Sequence, residues 1–320
     1  MIKLDLRDRK ILYELDCDAR APNTAIAKKL GLSAEVVGYR IKRLEEEGII
    51  THYQTIINPS KLAVIPFKIY ITLRHINSSE LSLCISELKK LDEAKWIVET
   101  QGSWDLIVAF ETDTIEKVSL LKQTIQNLFF PSIDRLTTTF LVEAHTYPRR
   151  FLVDKKLEER RVIIKQGSTI TLTDTELSIL KILSGNARMS LIDIASKLKT
   201  TARNIHYHIS QLERKEAIMG YKITLDYEKI GLLFYKAFIT VDKPQESRLK
   251  ELKGYLQAQK NITHTVTVFG NWDLEPEFEV FSEDEFQKQI NTIKDKFSDI
   301  VSNIEIVTVT KEHKFIPENN

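Results

Sequence analysis

The sequence predicts an α+β protein made of two copies of one two-domain unit. Three observations carry this. At 320 residues the chain is long enough for two ordinary domains or for a repeated pair. It matches itself at one offset: with Leu4 on Leu172, Ile11-Leu12 meets Ile179-Leu180, Ala19-Arg20 meets Ala187-Arg188, and Leu44-Glu45 meets Leu212-Glu213. Far downstream the register still holds, where Gly102, Trp104, Asp105 and Leu106 meet Gly270, Trp272, Asp273 and Leu274. Within each copy, helical periodicity comes first and alternating strands and helices follow.

Asp5 suits the N-cap of a first helix whose apolar face is Ile11, Leu12 and Leu15. In copy two, Thr173-Asp174-Thr175-Glu176 reads as a capping box. A second helix, about Thr24 to Leu30, stops at the left-handed turn that Gly31 supplies. Ser33 N-caps a third helix with Val37, Ile41 and Leu44 on one face, and Gly48 ends it. Ile49-Ile50 and Tyr53 to Ile57 then read as a short strand pair, a wing. Three helices with a tight turn before the third form a winged helix–turn–helix, whose third helix enters the major groove. In copy two, Lys199 and Glu216 replace the two helix-ending glycines, which predicts strained helix ends and a less regular second reader.

The second domain reads as βαββαβ, a ferredoxin-like unit. Its elements are Phe67 to Leu73, Ser78 to Leu91, Ala94 to Thr100, Trp104 to Glu111, Thr114 to Leu128 and Ile133 to Glu143. Copy two repeats them at Tyr235 to Val241, Glu246 to Ala258, Ile262 to Phe269, Trp272 to Val280, Ser282 to Phe297 and Ile300 to Thr310. Gly102-Ser103 and Gly270-Asn271 suit two-residue hairpin turns with a positive φ at the glycine. One side of the third strand reads Asp105, Ile107, Ala109, Glu111 in copy one, largely apolar, but Asp273, Glu275, Glu277, Glu279 in copy two, with Pro276 mid-strand, where it is disfavoured. Pairing of that acidic side with Lys68 and Arg74 would make the chain an asymmetric pseudo-dimer. Charge reversal at Glu275 and Glu277 should then lower the melting temperature.

The expected boundaries are a winged helix–turn–helix over 1–60, a ferredoxin-like effector and dimerisation domain over 64–146, and a charged linker over 147–168. A second winged helix–turn–helix over 169–228 and a second ferredoxin-like domain over 232–316 follow. The linker holds Arg149, Arg150, Lys155, Lys156, Arg160, Arg161 and Lys165 against Asp154, Glu158 and Glu159. It reads as solvated, with helix formers from Asp154 to Val162.

The formal net charge of +1 excludes a strongly basic coat for nucleic acid but not a modular DNA reader with a local basic face. The third helix of copy one presents Ser33, Glu35, Gly38, Tyr39, Arg40 and Arg43. That of copy two presents Thr201, Arg203, Asn204, His206, Tyr207, Gln211 and Arg214. Arginine to guanine and Asn or Gln to adenine are the bidentate pairings of the major groove. Double-stranded DNA is therefore the expected partner. Solvated face residues are the plain alternative, and the two tyrosines also suit core-edge packing.

Two cysteines, Cys17 and Cys84, build neither a disulfide framework nor a four-thiolate metal site, and no apolar run is long enough for a membrane helix. A cytoplasmic protein without cofactor, metal or membrane partner is expected. No phosphate loop, dinucleotide fingerprint or nucleophile elbow is present, so the chain reads as not an enzyme.

These motifs together resemble the Lrp/AsnC family of transcription regulators. The match lies in Ile26-Ala27-Lys28-Lys29-Leu30-Gly31-Leu32-Ser33, in Leu44-Glu45-Glu46-Glu47-Gly48-Ile49-Ile50 and in Gly102-Ser103-Trp104-Asp105. The resemblance implies dimerisation through the C-terminal sheets and binding of an amino acid or related small molecule near the Gly-x-Trp-Asp hairpin. It would place an effector at Gly102, Trp104, Asp105, Gly270, Trp272 and Asp273. The plain roles of these residues are turns, core filling and hairpin capping. Tandem fusion departs from the family pattern and leaves open whether the pseudo-dimer assembles into a homo-oligomer. Siroheme decarboxylases have a similar architecture, some as fused tandem chains, and form the alternative reading. Ile262-Thr263-His264-Thr265 only partly matches their histidine-bearing strand.

Overall fold

A computed structural model describes residues 2–154, 162–165, 167–242 and 245–315. Copy one runs α1 (Leu6–Cys17), α2 (Asn23–Leu30), α3 (Ala34–Glu46), β1 (Ile50–Ile57), β2 (Ile65–Leu73), α4 (Ser78–Lys89), β3 (Ala94–Gly102), β4 (Leu106–Thr112), α5 (Ile115–Leu128) and β5 (Ile133–Thr146). A short strand β6 (Val162–Lys165) lies between the copies. Copy two runs α6 (Asp174–Gly185), α7 (Leu191–Lys197), α8 (Ala202–Arg214), β7 (Ile218–Leu225), α9 (Tyr227–Ile230), β8 (Leu233–Val241), α10 (Glu246–Ala258), β9 (Ile262–Phe269), β10 (Leu274–Val280), α11 (Glu283–Lys296) and β11 (Val301–Phe315). This is the α+β order expected.

Local chemistry sets the helix ends. Asp5 and Asp8 form a reciprocal capping box on α1, as Thr173 and Glu176 do on α6. Ser33 Oγ accepts from Val36 N, and Thr201 Oγ1 accepts from Asn204 N, so α3 and α8 start alike. Gly31 and Gly48 hold φ of 66° each. Lys199 and Glu216 take the same left-handed conformation at 51° and 57°, the expected strain. That strain does not shorten the reader, because α3 and α8 both have 13 residues.

The expected wing is not formed within a copy. Tyr53 to Ile57 instead belongs to β1, which pairs antiparallel with β7 of the other copy from Ile50↔Leu225 to Ile57↔Ile218. The two helix–turn–helix domains therefore share one core. Their contacts are reciprocal. Arg20 donates to the carbonyls of Ala187 and Met189, and Arg188 donates to those of Ala19 and Ala21. Arg20 stacks over Tyr221 and Arg188 over Tyr53. This is the isologous pattern of a two-fold dimer, built within one chain.

The remaining strands run β2-β4-β3-β11-β8-β10-β9-β5, and β5 returns to pair with β2. The sheet is thus a closed eight-stranded barrel, with β6 added to β5. Two long strands join the copies. β5 pairs with β2 through residue 140 and with β9 from there on, while β11 pairs with β8 and then with β3. Helices α4 and α5 cover one half outside, α10 and α11 the other. Inside, Tyr70, Trp104, Phe238 and Trp272 form an aromatic cluster, with Trp272 centroids 4.8 Å from Tyr70 and 4.7 Å from Phe238.

The acidic side of β10 faces this interior. Lys68 Nζ lies 2.7 Å from Glu275, as expected, and Lys236 lies 3.0 Å from Glu275 and 2.8 Å from Glu277. Arg74 takes no part; it pairs with Asp134 on the outside. Pro276 is tolerated because the β8 ladder skips Glu275 and Pro276, and Pro276 pairs only toward β9.

The linker departs from expectation. Arg149 and Arg150 are buried, not solvated. Asp154 lies in a turn and Val162 in a strand, and residues 155–161, where the helix formers fall, lie outside the described residues.

Candidate functional site

The recognition helices α3 and α8 lie on opposite sides of the paired helix–turn–helix layer's pseudo-two-fold, and their outer faces differ. On α3, Ser33, Glu35 and Tyr39 are exposed, and Gly38 packs against Asn23. Arg40 and Arg43 are not free for DNA. Arg40 lies 2.8 Å from Asp5 and 2.7 Å from Asp8, and Arg43 lies 2.7 Å from Asp8. They clamp α3 to the start of α1. On α8, Thr201, Arg203, Asn204, His206, Tyr207 and Arg214 are exposed, and Gln211 accepts from Arg214. Tyr39 and Tyr207 project outward at 71% and 57% exposure, which rules out core-edge packing. The basic and acidic residues of α3 balance, whereas α8 carries two arginines against one glutamate. The second helix, expected to be the less regular reader but still polar, has the more exposed donor side chains.

Of the six hairpin residues the tryptophans are buried and the glycines are exposed. Trp104 and Trp272 are buried in the barrel, 5.8 Å apart. Asp105 accepts from Leu73 N at 2.6 Å and Asp273 from Val241 N at 2.7 Å, each fastening its hairpin to the neighbouring strand. Gly102 has φ 127°, and a Cβ there would stand 2.3 Å from the Ile306 carbonyl of the other copy. Gly270 has no positive φ, but a Cβ would press on Thr139 at 2.7 Å. Neither hairpin is a two-residue turn: the strands stop at Gly102 and Phe269 and resume at Leu106 and Leu274.

The open space lies elsewhere. A cavity of about 550 Å³ separates the helix–turn–helix layer from the barrel, lined by β1, β7 and α6 on one side and by residues of both barrel halves on the other. None of the six hairpin residues lines it. Lys68, His264, Glu277, Glu279, Arg149 and Tyr227 do.

At this boundary Arg149 joins the layers. Its guanidinium lies 2.6 Å from Asp16 of α1 and 2.7 Å from Glu279 of β10, and it donates to the Ile223 carbonyl of β7. Lys222 lies 3.3 Å from Asp16. Arg150 donates to the Gln257 and Gln259 carbonyls at the end of α10. Sequence reasoning missed both arginines because it read the charge run as one solvated stretch. The available signal was position, immediately after the last strand of copy one.

The barrel charges are strongly perturbed. Burial would raise the Glu275 carboxyl, but Lys236 and Lys68 outweigh it and hold it well below the usual range. Glu277 is lowered to about 2 against the same burial, chiefly by Lys236. Burial pushes His264 down to about 4; Glu277 pulls it back up, and Lys68 and Lys236 add to the lowering. A lowered folded-state value means that the unfolded chain binds the extra proton between pH 6.5 and 4. Stability should therefore fall as pH drops through that window, and His264→Gln should flatten the slope. Denaturant unfolding at stepped pH checks this; an unchanged slope in the variant would sink it.

Among the described residues no helix is long and apolar enough to cross a membrane, and no cluster of metal-ligating side chains is present. The profile of winged helix–turn–helix DNA-binding domains matches residues 4–51 and 172–219. The transcriptional regulator Ptr1 of Methanocaldococcus jannaschii is 37% identical over 105 residues, 32% of this chain and 69% of its own length. The regulator FL11 of Pyrococcus abyssi is 28% identical over 144 residues, 45% of this chain and 93% of its own. Among solved structures, the siroheme decarboxylase NirDL superposes with a TM-score of 0.62 at 15% identity, covering 97% of this chain and 93% of its own. The expectation that the chain is not an enzyme does not stand, since an enzyme shares this fold over 97% of the chain. At such low identity the likeness speaks for the fold alone. The sequence matches and the doubled domain order agree: the chain belongs to the Lrp/AsnC family of transcriptional regulators, as two of its units in tandem.

Proposed function

We propose that the protein binds double-stranded DNA sequence-specifically and presents two non-equivalent recognition helices from one fused pseudo-dimer. The reciprocal helix–turn–helix pair carries this reading, because it fixes α3 and α8 relative to each other while leaving the polar face of α8 exposed. Clamping of Arg40 and Arg43 makes α3 a reader through Ser33, Glu35 and Tyr39, and α8 a reader through Arg203, Asn204 and His206. An amino-acid-like effector near the hairpins would act by shifting one barrel half against the other, since each glycine abuts the opposite copy. Binding to a target duplex should weaken linearly in log–log form with salt, because phosphate contacts release counterions. Electrophoretic titrations across a range of potassium chloride concentrations test this; salt-independent affinity would contradict it.

A second reading is favoured by the whole-chain likeness to NirDL and by the cavity with His264 in its wall: decarboxylation of a tetrapyrrole such as siroheme. Adding siroheme to the purified chain distinguishes the two. A shifted absorbance spectrum with carbon dioxide release supports catalysis; an unshifted spectrum removes it.

A further inference from the structure

The cavity straddles the pseudo-two-fold, and its two halves are not filled alike. Positions 168 apart line it in pairs: Gln54 with Lys222, Pro59 with Tyr227, Trp96 with His264, and Glu111 with Glu279. In the copy-two half, Arg149 fills the recess. Its Nε lies 2.7 Å from Glu279, and Tyr227 and Thr263 also donate to that carboxylate. In the copy-one half, Glu111 stands at the same place on the equivalent strand, and its backbone N–H donates to Glu93 just as Glu279 N–H donates to Asn261. Among the described residues no guanidinium donates to it, and the offset matches Arg149 with Pro317. Tyr227 and Thr263 are matched by Pro59, which has no donor, and by Lys95, whose ammonium donates to the Asp92 carbonyl at 2.7 Å. Among the described residues the Glu111 carboxylate has no hydrogen-bond donor. Burial raises its pKa, and Lys95 offsets this only in part. The walls of this half combine Trp96, Ala109, Leu177 and Leu180 with Lys68, which is paired with Glu275, and with Lys95 and Lys181.

We propose that the Glu111 half of the cavity binds a small organic cation, a guanidinium or ammonium on a short alkyl chain, which takes the place that Arg149 fills in the other half. The cavity volume suits such a ligand. Glu111 gives it a counter-ion and the Trp96 ring gives it a π-face. The site differs from the Gly-x-Trp-Asp hairpins, and it does not depend on DNA binding. A ligand there would bridge β4 of the barrel to β1 and α6 of the helix–turn–helix layer, as Arg149 bridges β10 to α1 and β7.

The test is calorimetric titration of the full chain with agmatine, without DNA, alongside its neutral analogue N-butylurea. The expected result is one agmatine per chain, no binding of N-butylurea, and at least a tenfold loss of affinity in Glu111→Gln. That variant removes an uncompensated charge, so its melting temperature should equal or exceed that of the parent. If agmatine and N-butylurea bind alike, if Glu111→Gln binds agmatine as the parent does, or if agmatine does not bind, the proposal falls. Should Glu111→Gln fail to fold, the agmatine and N-butylurea comparison in the parent chain decides alone.

Discussion

Replacing Arg149 with Ala is expected to destabilise the chain by about 3–5 kcal/mol, a fall of roughly 10 °C in Tm. The reason is what it leaves behind. Asp16 and Glu279 are both almost fully buried, and Arg149 supplies charge and hydrogen bonds to each. Lys222 would still face Asp16 at 3.3 Å, but Glu279 would keep only hydroxyl donors. The loss should therefore centre on Glu279. Combining Arg149→Met with Glu279→Gln should recover much of the stability, because an apolar and a neutral side chain replace a broken ion pair. Calorimetric melting of the single and double variants measures it. If Arg149→Ala melted with the parent, the two layers would be held together by something else.

The second large effect concerns DNA. Removing Arg203 and Asn204 together should weaken binding to a target duplex by about 1–3 kcal/mol per base pair read, so a hundredfold loss in affinity is within reach. The melting temperature should barely move, since both side chains are exposed. Arg40→Ala should behave in the opposite way. Its guanidinium is spent on Asp5 and Asp8 at the start of α1, so the cost appears mainly as stability and only indirectly as affinity. Paired melting and binding titrations separate these patterns. Equal loss of affinity from both variants without any stability change would show that Arg40 leaves its carboxylates to contact DNA.

Much of the architecture was legible because the repeat holds one register. The ends of α1, α3 and α6 follow from Asp5, Ser33 and Thr173, local signals that need no tertiary context. Pairing between copies was not legible in the same way. Tyr53 to Ile57 has strand character whichever partner it finds, and only the closed dimer core selects β7. The same limit applies to Arg40, which on a helical wheel is a free surface cation but in space lies against Asp8 of another helix. That the acidic side of β10 meets Lys68 follows from the sequence, because an acidic face inside a sheet needs countercharge, whereas Arg74 lies outside on Asp134. Arg149 and the cavity beside Glu111 were hidden because they arise where the two copies differ, and a repeat alignment draws the eye to where they agree.

On the proposed function, one chain reads DNA with two unlike helices fixed by a pseudo-two-fold. Selection of bound duplexes from a random pool by the intact protein tests this most directly. Two unlike readers should enrich a bipartite site whose half-sites lie about one helical turn apart and differ in sequence. The half-site lost when Arg203 and Asn204 are changed to Ala should be the one that α8 reads. No enrichment over the starting pool, or a single half-site insensitive to changes in α8, would contradict it.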